Sequence, residues 1–253
     1  MARVTIDHVN KSREIIKVYR KAYKNWFNVL INLAITGRAK AITRDGKKIE
    51  GDSEIIGELA RLYGLIGVSI TSEAFNKLLK IGQEGNNSDI LVYFLVNFKS
   101  LQCCKLVDIA DDLSYITIEV EGKRAKLYEW LSIWFIGDID GYQLLNVKGK
   151  SVLDIGAFVG DSTIYFNLRG AKRIVAIEAS PWAFQVAKKN IEANKMNNVV
   201  LINCAIDKED NKKFKLPLSK TDISFKPKML DGIGDIEVPT CNLDSLIEKY
   251  GPF

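Results

Sequence analysis

The sequence predicts an α/β protein. A Rossmann-like, doubly wound domain is expected over residues 141–253, after a mainly helical region with hairpins over residues 1–140. Three observations predict it. Apolar runs end in Asp154, Glu178 and Asn203, each at a strand tip. A turn with Gly156 and Gly160 follows the first run and opens a helix. Ser180-Pro181, a cap followed by a first-turn proline, opens another helix after the second run. Together these make a β-α-β-α-β unit with a nucleotide-shaped cradle at its strand tips.

The elements follow in chain order. Asn10 to Ile35 reads as one long helix ended by Gly37, and Lys40 to Glu50 as a hairpin around Asp45-Gly46. Ser53 to Leu65 and Thr71 to Ile81 read as helices, each with a Ser or Thr cap. Gly82 to Ser88 is the clearest loop, and the apolar run Ile90 to Phe98 suits either a strand or a helix. Ser114 to Val120 and Lys123 to Leu127 suggest a second hairpin about Glu121-Gly122. Gly137 to Gly141 is turn-rich, and the domain boundary is expected between Gly137 and Gly149. Ser151 to Ile155, short and apolar, is the first strand of the Rossmann-like unit. A helix to about Leu168, capped by Asp161 or Ser162 and closed by Gly170, comes next. RIVAIE is the second strand, and Trp182 to about Asn194 is a helix with Phe184, Ala187 and Ile191 at helical spacing. VVLIN is the third strand.

The candidate site lies at those tips. A ligand crossing the first turn leaves little room for side chains, so Gly156, Ala157 and Gly160 supply clearance. Glu178, with Ala179 and Ser180 beside it, offers an acceptor-only carboxylate to a ribose diol. Asn203, Cys204 and Ala205 reach the rim where an adenine edge would lie.

Charge selects among nucleotides. A dinucleotide loop usually reads G-x-G-x-x-G, but here Phe158 stands where a glycine would admit a pyrophosphate. Asp161 would repel a phosphate at the helix start. S-adenosylmethionine (SAM) has no phosphate and carries a sulfonium and an ammonium, so Asp154 and Asp161 suit it. No G-x-x-x-x-G-K-[ST] loop is present, which argues against an ATPase.

From Gly149 to about Tyr250 the chain resembles the FkbM-type family of SAM-dependent methyltransferases. The resemblance lies in GKSVLDIGAFVGDSTIYF, VAIEASP, NIEANKMNNVVLINCAI and VPTCNLDSLIEKYG. Phe158 departs from the family, which usually has an Asn-like residue there. The resemblance implies a class I methyltransferase fold and methyl transfer from SAM, most often to a hydroxyl oxygen. It implies that Asp154, Gly156 and Gly160 surround the methionine moiety, that Glu178 binds the ribose, and that Cys204 and Ala205 wall the adenine. In the family a fourth strand and an acidic motif follow the LDSL helix. Here the sequence given stops at Phe253, so the domain is expected to be incomplete and no catalytic residue is assigned.

Composition sets bounds. The chain is 47% hydrophobic and 26% charged, ordinary for a globular protein, and no apolar run reaches membrane-spanning length. The first residues lack a signal-peptide core, so the expected location is cytoplasmic. Cys103, Cys104, Cys204 and Cys241 form no C-x-x-C pair; reduced thiols and no metal site are expected. The only histidine is His8, which argues against a Ser-His-Asp triad.

The expected partner is a small-molecule or glycan-type methyl acceptor. Lys11, Arg13, Lys17, Arg20, Lys21 and Lys24 are offset only by Glu14, and this basic stretch makes an RNA substrate the alternative. A non-catalytic SAM-fold module is the third reading.

Overall fold

The computed structural model describes residues 13–84, 104–130, 141–216 and 236–253. The chain divides into two compact units, Met1–Ser100 with Leu106–Ser114, and Leu101–Lys105 with Tyr115–Phe253. His8, Cys103, the run 90–98 and the hinge at 137–140 lie outside the described residues.

The first unit begins with two helices where one was expected. α1 covers residues 13–22 and α2 covers Trp26–Thr36. The break has a long-range cause. Tyr23 bridges Thr43, and the Lys24 N–H donates to the Ile42 carbonyl at 2.7 Å. The Asn25 side chain also takes the Ile42 N–H at 2.8 Å. Backbone groups that would continue the helix are spent on a neighbouring strand. β1 (Arg38–Ile42) and β2 (Lys48–Asp52) form the antiparallel hairpin expected around Asp45-Gly46. Their alternation places Ala39, Ala41 and Ile49 in the core. α3 (Ser53–Ile66) is capped by Asp52 rather than by serine; one carboxylate oxygen accepts the N–H groups of Glu54 and Ile55 at 3.0 Å. α4 (Ser72–Glu84) is capped by Thr71 and runs through Gly82 to Glu84, which had been expected in a loop. β3 is Lys105–Ile109.

In the second unit β4 (Tyr115–Val120) and β5 (Lys123–Tyr128) form the expected hairpin. β6 (Ser151–Ile155), α5 (Asp161–Leu168), β7 (Arg173–Glu178), α6 (Pro181–Ala193) and β8 (Val199–Asn203) follow in the predicted order. The three strands are parallel, in order β6-β7-β8, with Glu178 opposite Asn203. β7 is central, and Ile174 to Glu178 are all buried, as its β-branched run demands. β9 (Ala205–Asp207) resumes after Cys204 and pairs in parallel with β11 (Ile236–Asn242), which also pairs antiparallel with β10 (Lys213–Leu216). α7 (Leu243–Tyr250) carries Leu246 into a cluster with Ile177 and Cys204. This architecture is the expected α/β Rossmann-like fold.

The cysteines differ from expectation. Cys204 and Cys241 are joined in a disulfide with Cα atoms 5.8 Å apart. Single cysteines in two segments 37 residues apart gave no sign of pairing. Pairing of β11 with β9 brings Cys241 beside Cys204, the residue that precedes β9. No helix among the described residues is long and apolar enough to cross a membrane.

Candidate functional site

The turn after β6 has an unusual backbone. Gly156, Phe158 and Gly160 have φ of +79°, +47° and +84°. Glycine adopts this left-handed region freely, whereas phenylalanine at Phe158 carries a cost of about 1–2 kcal/mol. Such strain persists only where neighbours over-determine the backbone. They do so here. The N–H groups of Gly156 and Ala157 both donate to the Ile177 carbonyl at 2.9 Å. The Phe158 N–H donates to Glu178 Oε2 at 2.8 Å, and the Gly160 N–H to the Ala157 carbonyl at 2.7 Å.

The two glycines serve different ends. A Cβ at Gly160 would lie 3.3 Å from both the Cα and Cβ of Ala187, so this glycine lets α5 and α6 approach closely. A Cβ at Gly156 would meet nothing within 4 Å. Open space above a positive-φ glycine at the strand tips is the cradle a ligand would fill.

Glu178 is buried at the tip of β7. Its Oε1 accepts the Ser180 N–H at 2.7 Å and its Oε2 the Phe158 N–H at 2.8 Å. An ionised carboxylate has about four acceptor positions, so two protein donors leave room for a diol. The amides fix the carboxylate without exhausting it. Ser180 then caps α6, its Oγ accepting the Ala183 N–H at 3.4 Å, with Ala179 between the two.

Asp154 is used differently. Its Oδ2 accepts hydroxyl protons from Thr163 at 2.6 Å and Ser162 at 2.8 Å. Burial pushes its carboxyl above the usual carboxylate range, and the hydrogen bonds from Thr163 and Ser162 oppose that push only in part. It braces the start of α5 from beneath. The residue capping α5 is Gly160, in left-handed geometry, so neither Asp161 nor Ser162 is the cap that was expected. Asp161 is the first helical residue and Ser162 is buried on Asp154. Ala157 is fully buried.

At the third strand tip, Asn203 donates its amide to the carbonyls of Glu178 at 2.7 Å and Ala179 at 3.1 Å. It ties β8 to the Glu178 turn. The Cys204 side chain lies in the disulfide, and Ala205 begins β9. The structure therefore brings Gly156, Glu178, Ala179, Ser180 and Asn203 to one set of strand tips, with Asp154, Ala157, Gly160 and Ser162 as its frame.

Trp182, Thr163 and Asn190 went unread in the sequence as participants. Phe158 and Trp182 pair at the rim with ring centroids 5.9 Å apart. Thr163 shares Asp154. Asn190, fully buried, reaches the Val159 carbonyl at 2.8 Å. A signal existed for the last: the buried face of α6 is Ala183, Ala187 and Asn190, so an asparagine stands in phase with the apolar stripe. Phe184 and Ile191, expected on that face, are only half-buried.

The family model described as Ribosomal protein L11 methyltransferase (PrmA) matches residues 138–219. A putative protein N5-glutamine methyltransferase of Methanocaldococcus jannaschii is 35% identical over 86 residues, 32% of this chain and 41% of that one. The human electron transfer flavoprotein beta subunit lysine methyltransferase is 34% identical over 88 residues, 33% of this chain and 34% of that one. A ribosomal protein L11 methyltransferase of Anoxybacillus flavithermus is 37% identical over 65 residues, 25% of this chain and 21% of that one. The chain thus spans less than half the length of these relatives. The parallel sheet, glycine turn and strand-end glutamate stand in their expected places, and over residues 138–219 the chain is similar to methyltransferases.

Proposed function

We propose that the second unit binds SAM across the tips of β6, β7 and β8 and that the protein transfers its methyl group. The observation that carries this reading is Glu178: a buried carboxylate held by two backbone amides beside an open glycine turn. The ribose diol donates to Glu178, the methionine end crosses Gly156, and the adenine lies toward Ala179 and the Asn203–Ala205 rim. Asp154 acts through the loop it braces rather than on the ligand. An acid at the start of α5, Asp161, disfavours a phosphate there and suits a cationic ligand.

The relatives are named for glutamine N5, lysine and ribosomal protein L11, which favours a nitrogen of a protein as acceptor. A second reading, FkbM-type methyl transfer to oxygen, rests on the Val238–Gly251 segment, which lies outside the matched residues 138–219 and folds as β11 and α7. Calorimetric titration with SAM and S-adenosylhomocysteine tests the common core of both. Ligand at about 100 times its dissociation constant should stabilise the fold by about 2.7 kcal/mol. Folded protein showing neither heat nor a thermal shift would refute the proposal. Mass-spectrometric location of the transferred methyl on a hydroxyl oxygen or on a protein nitrogen then separates the two readings.

A further inference from the structure

We propose that Asn190 is a positioning residue for the cofactor loop, and that through it the β4–β5 hairpin acts as a strut of that loop. Its affinity readout rests on the function proposed above; its exchange readout does not.

The argument begins with what the loop lacks. Three residues of five, Gly156, Phe158 and Gly160, hold positive φ, one of them an aromatic residue. Such a segment keeps its shape only where neighbours hold its backbone. The N–H groups of Gly156, Ala157, Phe158 and Gly160 are claimed by Ile177, Glu178 and Ala157. The Val159 carbonyl faces α6, and there the Asn190 Nδ2 donates to it at 2.8 Å.

The same amide spends its remaining capacity on β5. Nδ2 also donates to the Tyr128 carbonyl at 3.3 Å, and Oδ1 accepts the Tyr128 N–H at 2.7 Å. One turn on, Asn194 repeats the pattern. Its Oδ1 accepts the Lys126 N–H at 2.7 Å and its Nδ2 donates to the Lys126 carbonyl at 2.6 Å. Two side-chain amides thus stand in for a neighbouring strand along β5. Only Asn190 also touches the loop. Gly160 lies against Ala187 on this same face of α6, so the helix supports the loop by contact and by hydrogen bond together. Asn190 is fully buried and both its amide protons are used, so its influence on binding passes through Val159.

The pair supplies its own control. Asn190→Asp and Asn194→Asp make the same chemical change one helical turn apart, and each removes a donor to β5. Only the first releases the Val159 carbonyl. In the full chain without ligand, Asn190→Asp should speed amide exchange at Phe158 and Gly160 about tenfold or more, and Asn194→Asp should leave it unchanged. S-adenosylhomocysteine affinity should fall about fivefold or more in the first variant and stay within about twofold in the second. Should Asn190→Asp fail to fold, Asn190→Ser, which buries no charge, is read by the same two measurements. Equal effects of the 190 and 194 variants, or unchanged exchange at Phe158 and Gly160, would overturn the inference. If the wild-type protein binds no S-adenosylhomocysteine, the proposed function fails, and the exchange comparison alone decides the role of Asn190.

Discussion

Asp45 in the first unit and Asp154 in the second each accept a threonine hydroxyl at 2.6 Å, from Thr43 and Thr163 respectively. Each organises a turn at the end of a strand. Asp45 also accepts the Ser69 N–H at 3.0 Å, closing the β1–β2 hairpin against the segment after α3. Their ionisation nevertheless moves in opposite directions. Burial opposes the charge at Asp45, but the hydrogen bonds from Ser69 and Thr43 outweigh it and its pKa is lowered. At Asp154 burial is the larger effect and the pKa is raised. A polar turn at the edge of a small unit can afford a stable charge. Within a strand of the parallel sheet the same residue type, when charged, costs stability, and there it braces the start of α5.

Several substitutions test this contrast between the hairpin turn and the proposed cofactor loop. The largest effect is expected at Gly160→Val. Its Cβ would stand 3.3 Å from the Ala187 backbone at a φ of +84°, and overpacking of this kind costs about 1–3 kcal/mol, with strain added. Gly156→Ala meets no neighbour, so its stability loss should stay near about 1 kcal/mol while its effect on SAM binding is the greater of the two. Urea midpoints and titrations on both variants check this; equal binding losses would mean that Gly156 is not at the ligand.

Glu178→Ala comes next. It strips two amides, Phe158 and Ser180, of their acceptor, at about 1–3 kcal/mol where such a group stays dry. SAM affinity should fall about tenfold or more. A variant that loses stability and keeps affinity would make Glu178 a turn residue like Asp45.

The smallest effects are in pH dependence. Asp45 has a folded pKa below its unfolded value, so its contribution is full above about pH 4 and is lost as pH falls through the folded value. Asp154 has a folded pKa above its unfolded value, so its cost appears as pH rises through about 4 and is complete above the folded value. Asp45→Asn should therefore lose stability at neutral pH and converge on wild type in acid. Asp154→Asn should gain on wild type as pH rises. Urea midpoints at a series of pH values measure both, and parallel curves would contradict the opposed shifts.

The elements most readable in the sequence were those specified locally. β6 to β8 announce themselves as short apolar runs, and Ser180-Pro181 marks α6 with a cap and a fixed φ. Glu178 was legible because its place at a strand tip follows from the run before it. Features set by distant partners were not. The break after Ala22 depends on β1, the disulfide on β11 reaching β9, and the role of Asn190 on a hairpin 62 residues earlier. The hydroxyl partners of Asp154, Ser162 and Thr163, were not legible as partners because they sit on the next helix, where α5 turns them back toward the strand.

A structure of the protein with S-adenosylhomocysteine bound tests the central claim most directly. Both ribose hydroxyls should lie within about 2.5–3.0 Å of the Glu178 carboxylate oxygens, with the chain of the amino acid crossing Gly156. A nucleoside found elsewhere, or a Glu178 still bonded only to Phe158 and Ser180, would contradict it.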